Sequence, residues 1–404
     1  MKTRFRTLTD HSGLFWAMIA TNVVFLALGL AAALFMESHG HIVTGMSNSI
    51  VWGLPHVFAV FLVVSASGAL NVASISSVFN RLAYKPYARL SGVLAVALLA
   101  GGLSVLVLDL GRPERVFIAM THNNFRSIFA WNIYLYSGFV AIVATYLFSM
   151  MDRGASRSAA FGKGVAWTAF VWRLALTTGT GSIFGFLIAR EAYDAAIMAP
   201  LFIAASFLYG LSFTVAVLLT MTRETREELM DGEMISKFSG LFLIFSLTVL
   251  FLTAIQYLTK FYSLAHRDVV LFLLWNGGVF PLVFWIGQIV VGTLLPIAML
   301  MHSRTRERSP AALMLVSVLF LFGGLCQFYV IIIGGQAWPL DIFPGLVASS
   351  SFGDGAVAQY FPTVPEALLG ISGVALAMLL VALAIRILPF VPVVRPSAPT
   401  GTPA

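Results

Sequence analysis

Polar side chains that interrupt long apolar runs are the groups equipped for chemistry in this chain. They are Asn22, His56, Asn71, Asp109, Asn132, Arg173, Gln256, Asn276, Gln288 and Gln327. Moving such groups among lipid tails is costly, so each needs a partner or a task. His56 exchanges a proton near neutral pH, and the Asp109 carboxylate is a second proton acceptor. Counted by helical rise from the ends of the apolar runs, His56, Asp109, Asn132, Gln256 and Asn276 fall in one half of the layer. Trp131, Tyr134 and Trp275 lie at similar depth. The set thus collects one imidazole, one carboxylate and several amides in that half. There are plainer readings: amides bridge neighbouring helices, and Trp and Tyr form interfacial belts. Arg173 sits near mid-depth and needs a carboxylate, backbone carbonyls or a water-filled cavity beside it. It either holds the helices together or lines a proton or ligand path. Asn22, Asn71, Arg173 and Gln288 can mark such a path to the opposite side, although no spacing compels it.

Metal chemistry fits the sequence poorly. Of seven histidines only His56 lies within an apolar run, with His302 at the edge of another. Two span histidines for axial haem ligation are therefore lacking. Cys326 is the only cysteine, which excludes an internal disulfide, a C-x-x-C-H haem attachment and an iron–sulfur cluster held by this chain alone. No metal site and no self-contained catalytic residue is assigned. If the protein handles electrons, it needs an organic carrier such as a quinone, with metal centres on partner chains.

The elements that must position these residues follow from composition. The 404 residues are 59% hydrophobic and 10% charged, with mean hydropathy +0.92; soluble domains carry about 25% charge. Continuous apolar blocks must satisfy their own backbone in a bilayer, so they are helices. The short alternating segments of a β-barrel are not seen. Ten spans are expected: Leu14–Met36, Trp52–Phe79, Leu90–Leu108, Ile128–Met150, Val165–Ile188, Met198–Thr220, Phe238–Tyr262, Val269–Leu300, Ala311–Ile333 and Glu366–Leu388. Pro281 and Pro296 predict a tilt or kink in the long eighth span. The first span is longer than a signal-peptide core and has no clear cleavage site after it.

The net charge of +7 sits in loops, where it orients the protein and does not point to nucleic acid. With a cytoplasmic N-terminus, Arg112, Arg115, Arg126, Arg190, Lys260 and Arg267 face outward and Arg173 lies within a span. The remaining seventeen of the twenty-four Lys and Arg face inward. This bias places both termini in the cytoplasm. On the outer side, the loops Asp109–Ser127 and Gly334–Pro365 either dock a partner or form a solvated cap. Residues 1–390 read as a single transmembrane domain and 391–404 as a disordered Pro-rich tail.

The segment Leu108-Asp109-Leu110-Gly111-Arg112-Pro113-Glu114-Arg115, followed by Asn124-Phe125-Arg126-Ser127 and Trp131, resembles the D-L-G-R-P and N-x-x-S-x-x-W pattern of the NrfD/PsrC family. Trp52-Gly53-Leu54-Pro55 and Ala66-Ser67-Gly68-Ala69-Leu70-Asn71 also match, over nearly the whole chain. Gly334-Gly335-Gln336-Ala337-Trp338-Pro339-Leu340-Asp341 looks like the DsrP branch, found in the DsrMKJOP complex of sulfur-metabolising bacteria. The resemblance implies an all-α membrane protein with a four-helix-bundle core in the bacterial inner membrane. It also implies a quinone, menaquinone or ubiquinone, bound near the periplasmic side, with no haem or iron–sulfur cluster on this chain. The implied partners are a periplasmic ferredoxin-like iron–sulfur subunit (DsrO-like), a multihaem cytochrome c (DsrJ-like) and DsrM/DsrK-like subunits. His56, Asp109, Trp131, Tyr134 and Asn276 are the expected quinone contacts. Arg112, Pro113, Arg115, Asn124, Arg126 and Ser127 form the expected docking loop.

Within the redox class, the alternative is the membrane subunit of a polysulfide or tetrathionate reductase or of a hydrogenase. A secondary transporter also suits ten spans with broken helices and mid-membrane polar groups, and a purely structural anchor is a third reading. Solute uptake by liposomes containing this chain alone favours the transporter. Co-purification with an iron–sulfur subunit favours the redox reading.

Overall fold

The computed structural model describes residues 4–8, 12–151, 159–302, 309–340 and 355–393. Among the described residues, ten long helices pass back and forth: α1 (Gly13–His39), α2 (Leu54–Ser77), α3 (Leu82–Leu108), α4 (Ile128–Met151), α5 (Ala159–Gly185), α6 (Met198–Thr225), α7 (Gly232–Tyr262), α8 (Val279–Met301), α9 (Pro310–Ala337) and α10 (Val364–Ile387). Nine of them are long and apolar enough to cross a membrane. The other, α5, has the length, but Lys163, Arg173 and several Thr and Gly residues dilute its apolar character. Its packing compensates, because it lies against α4 and α6 and touches α2. The chain is thus an all-α polytopic membrane protein.

Side-chain caps start several helices. Ser12 accepts from the Phe15 N–H, Asp231 from Met234 and Ser309 from Ala312, satisfying donors the helix itself cannot. At α10, Glu366 reaches back to the Thr363 N–H at 2.8 Å. At the other end of the bundle, β1 (Arg4–Arg6) pairs antiparallel with β2 (Val391–Val393), with Phe5 opposite Pro392. Both termini therefore leave from one end, as an even number of passes requires. This strand extends ordered backbone into residues 391–393, which composition assigns to the tail. The reason is burial: Phe390 and Val391 are almost wholly enclosed. Residues 394–404 lie outside the described residues.

The centre is α2, which buries 83% of its most apolar stretch, against 17% for α1 and for α4. It packs with α3, α5 and α6, and α9 and α10 close the ring. Between helices in lipid, attraction depends on close backbone approach, which small residues permit. At the α2–α6 crossing, a Cβ on Gly68 would lie 1.5 Å from the Ser206 carbonyl oxygen, and one on Gly210 would lie 2.1 Å from the Ala69 nitrogen.

Two spans differ from expectation. The second is interrupted at Leu70, between Leu54–Ala69 and Asn71–Ser77. Ser65 and Ser74 on either side send their hydroxyls back to the Phe61 and Leu70 carbonyls at 2.7 and 3.1 Å, and back-bonding of this kind bends helices. The eighth span does not bend at its prolines. It breaks at Gly277–Gly278, where Gly278 adopts φ 64°, ψ −110°, a conformation open to glycine. Pro281 falls in the first turn after the break, where a missing N–H costs no helical bond. Pro296 comes just after a wide-turn segment, Val283–Leu294, whose wider turns relieve the clash of a proline ring with preceding carbonyls.

Gly68→Leu is expected to lower the thermal unfolding midpoint in detergent by roughly 5 °C or more, because the side chain meets backbone that has no room to yield. Gly240→Ala, whose added Cβ meets nothing within 4 Å, should leave the midpoint unchanged.

Candidate functional site

Asp109 immediately follows α3, and His56 sits in the first turn of α2. The two helix ends meet, bringing His56 Nδ1 to 2.7 Å from Asp109 Oδ2, with the carboxylate side chain 0% exposed and the imidazole 11%. The approach angles fall short of a well-formed hydrogen bond, and among the described residues neither carboxylate oxygen has another donor. A carboxylate in that position can be stabilised only by the imidazole, which in turn presents Nδ1 as donor. Nε2 is then the free nitrogen of the ring, an acceptor when the ring is neutral and a donor when it is charged.

Backbone geometry holds the pair. Gly111 takes φ 69°, turning the chain out of α3. The His41 ring lies 3.4 Å from where a Cβ at Gly111 would stand, and its Nε2 is 3.0 Å from the Asp109 carbonyl oxygen. Trp52 covers the imidazole, its ring centroid 5.7 Å away and the planes 8° apart. The edges of the Trp52 ring meet Phe129 at 5.5 Å and Phe184 at 5.6 Å.

On the far side of Phe129 opens a cavity of about 510 Å³ between the start of α4 and the end of α5. Arg126, Ser127, Ile128, Phe129, Trp131, Ile183, Phe186 and Leu187 line it. Two rings lie between His56 and this space: Trp52 stacks on the imidazole, and Phe129, which meets Trp52, lines the cavity. The lining is mostly apolar, with a cation and a hydroxyl at its rim. That chemistry fits a flat ring carrying oxygens at both ends.

The sequence-derived site residues divide into groups. His56 and Asp109 meet directly, and Trp131 lines the adjoining cavity while its indole N–H donates to the Phe125 carbonyl at 2.9 Å. Tyr134 lies outside that lining. It stacks on Phe125 at 5.9 Å and accepts from Asn123 Nδ2 at 2.6 Å. Asn276 is exposed at the break before α8, in a segment whose Phe272 ring lies 5.4 Å from that of Trp338. In the loop, Arg112, Arg115, Asn124 and Arg126 are exposed, with Pro113 and Ser127 half-buried. Asn124 Oδ1 accepts from the Arg126 N–H at 3.0 Å, and its carbonyl accepts from Ser127 at 2.9 Å. Among the described residues these three arginines form no ion pair.

Of the mid-depth residues, Arg173 and Asn71 meet: Arg173 Nη2 donates to Asn71 Oδ1 at 3.0 Å. Ser67 and Thr177 donate to the Arg173 carbonyl, each at 2.9 Å. Arg173 is fully buried, flanked by the Phe170 and Phe207 rings at 4.9 and 5.0 Å. Its Nε and Nη1 have no hydrogen-bond acceptor among the described residues. Closer to the His56 end, Thr180 donates to Asn132 Oδ1 at 3.4 Å. Asn22 bonds its own helix at Met18, and Gln288 sits on α8, which packs mainly on α9.

Several residues that support the site are not among the expected ones. Trp52 precedes His56 by four residues, a spacing that places side chains on one helical face; that was its available signal. Phe129, His41, Gln336 and Glu366 carry no local signal of their roles. Glu366 is fully buried and accepts from Gly45 N–H at 2.9 Å and from Tyr360 OH at 2.8 Å. Tyr360 oxygen accepts in turn from the Leu54 N–H at 2.6 Å, fixing the start of α2. Burial and the Glu366 carboxylate push the Tyr360 phenol well above its ordinary range, so it stays a donor.

Comparison with known proteins gives consistent matches. Residues 42–339 match the family described as polysulphide reductase, NrfD. The chain is 26% identical over 399 residues to the Hdr-like menaquinol oxidoreductase integral membrane subunit of Archaeoglobus fulgidus, covering 97% of this chain and 98% of that one. It is 27% identical to a putative dimethyl sulfoxide reductase membrane subunit of Halobacterium salinarum, covering 90% and 89%. It is 24% identical to a polysulfide reductase polypeptide of Wolinella succinogenes, covering 72% of this chain and 96% of that one.

Tyr360→Phe removes the acceptor of the Leu54 N–H and a donor to buried Glu366. It is expected to destabilise the protein by about 1–3 kcal/mol, read as a lowered unfolding midpoint.

Proposed function

The chain belongs to the NrfD family of polysulphide reductase membrane proteins, and from that premise we propose that it is the quinone-binding membrane subunit of a respiratory-type redox complex. In this reading it exchanges electrons between the quinone pool and a periplasmic iron–sulfur partner in dissimilatory sulfur metabolism. The observation that carries the proposal is the buried His56–Asp109 pair, capped by Trp52, which in turn meets Phe129 on the wall of a mainly apolar cavity. The full-length similarity to a menaquinol oxidoreductase subunit and the similarity to a polysulfide reductase polypeptide support it. The likeness of Gly334–Asp341 to the DsrP branch supports the finer placement, with DsrO-like, DsrJ-like and DsrM/DsrK-like partners.

A quinol bound there supplies two electrons and two protons. In this reading one proton passes to His56 Nε2, with Asp109 stabilising the imidazolium that results, and the second leaves to water at the open rim of the cavity beside Arg126 and Ser127. Trp52 and Phe129 wall off water, and Trp131 packs the ring in place. Electrons leave to metal centres on a partner, because this chain brings one cysteine and one span histidine to the task. The exposed arginines of the Asp109–Ser127 loop suit an acidic partner surface. The lysine and arginine bias puts that loop outside and both termini in the cytoplasm. Asn71 and Arg173, with Ser67 and Thr177, support a proton route across the middle of the protein. Asn22 and Gln288 stand apart from that column. Of the proposed contacts, Trp131 lines the cavity, whereas Tyr134 and Asn276, like His56 and Asp109, lie outside its lining.

In the assembled complex, His56→Ala and Asp109→Asn are expected each to lower quinol-linked turnover by about 100-fold or more; Asp109→Asn, which removes the buried charge itself, is expected to leave subunit stoichiometry unchanged. Wild-type turnover in both variants overturns the assignment. Reversing the loop charge with Arg112→Glu and Arg115→Glu together is expected to reduce the amount of iron–sulfur subunit that co-purifies, most strongly at low salt, where the attraction that is lost is least screened.

A further inference from the structure

Gln336 lies in α9, 284 residues from the backbone it grips. Its side chain is 2% exposed, and every hydrogen-bonding position of the amide is filled. Oε1 accepts from the Val51 and Trp52 N–H groups, each at 3.0 Å. Nε2 donates to the Trp52 carbonyl at 3.0 Å and to the Ile332 carbonyl at 2.9 Å. The opposite amide orientation would set two donors against two N–H groups and an oxygen against two carbonyls, so the network selects this one. The amide therefore binds both polar groups of the Trp52 backbone, much as a neighbouring β-strand would.

Arg190 completes the grip. Its Nη1 donates to the Gln336 carbonyl and its Nη2 to the Ser49 carbonyl, each at 3.0 Å. One guanidinium thus ties the end of α9 to the segment leading into α2. Tyr193 braces the same place, donating to the Ile332 carbonyl at 2.6 Å, with its ring 5.3 Å from that of Phe184. Phe184 is in turn one of the two rings meeting the edge of Trp52. The segment 49–53 precedes the helix and has no ladder of its own, so without these bonds nothing regular fixes the orientation of Trp52.

We infer that Gln336, with Arg190, is a positioning residue of the His56 site: it sets the Trp52 backbone, and through it the ring that covers His56. The functional half of this inference rests on the quinone-site reading above; the structural half does not. Neither Gln336 nor Arg190 approaches His56 or Asp109 in the contacts described. They act through Trp52, so the expected signature is altered binding of the carrier with the proton acceptor intact.

The test uses Gln336→Met in the full-length protein and in the assembled complex. Hydrogen–deuterium exchange of peptides covering residues 49–57 reads the grip directly, with no quinone added. Loss of the Oε1 acceptor is expected to speed exchange at Val51 and Trp52 by about tenfold, the factor for one net hydrogen bond, with α3 and α6 unchanged. In the complex, KM for a soluble quinol analogue is expected to rise about fivefold or more with kcat within about twofold, the pattern of lost binding at an intact reacting centre. Unchanged exchange at residues 49–57 overturns the inference. Faster exchange with unaltered KM overturns its functional half when His56→Ala still abolishes turnover. Unaltered turnover in His56→Ala as well places the failure in the quinone-site reading. If Gln336→Met does not fold, Arg190→Gln serves, with a smaller acceleration of exchange at the same amides expected; none there also overturns the inference.

Discussion

The site is organised by a carboxylate that water does not reach. A buried Asp109 facing no cation would be costly enough to disfavour the fold or force protonation. Here a single imidazole meets it at 2.7 Å. That contact requires the end of α3 and the beginning of α2 to come together with little freedom. The glycine turn after Asp109, the His41 bond to its carbonyl and the Trp52 ring over His56 all serve that closure. A pair with one proton-exchanging nitrogen left over is also what a proton-coupled redox site needs. The same contact therefore answers both a stability problem and a chemical one.

Around this pair, long-range hydrogen bonds do the work that a sheet does in a soluble enzyme. Glu366 and Tyr360 fix the first turn of α2 from the start of α10. Gln336 and Arg190 fix the segment before it from the end of α9 and from the loop after α5. All four make their bonds at the same end of the bundle, where helices begin and end and backbone groups lack intrahelical partners. Deeper in, the bundle is held by close backbone crossings such as Gly68 against Gly210. Arg173 is the exception at mid-depth, a buried cation whose partners are an amide and two aromatic faces.

Much of the fold was legible in the amino-acid order because a bilayer imposes few choices. The long apolar runs became the long helices, and the positions of most span ends hold within a turn or two. The breaks were harder. Pro281 and Pro296 drew attention in the eighth span, yet Gly277–Gly278 is where the backbone departs from the helix, because proline is harmless in a first turn or beside a widened one. His56 and Asp109 were legible by depth, since titratable groups among apolar runs stand out. Tyr134 and Asn276 were drawn in by the same depth measure, which counts height along the membrane normal and ignores which way a side chain faces.

What the amino-acid sequence determined by itself is the class of molecule, the apolar runs that its polar groups interrupt, and the family to which the Asp109–Pro113 and Asn124–Trp131 segments belong. Those properties depend on composition and local spacing, which need no partner to be read. Only the tertiary structure decided which of those polar groups touch, that Trp52 covers His56, that Phe129 joins Trp52 to the cavity wall, and that Gln336 holds Trp52 from 284 residues away. Rotation of each helix about its axis and the pairing of distant helix ends set these contacts. Nearly uniform apolar faces carry no period that would announce either one.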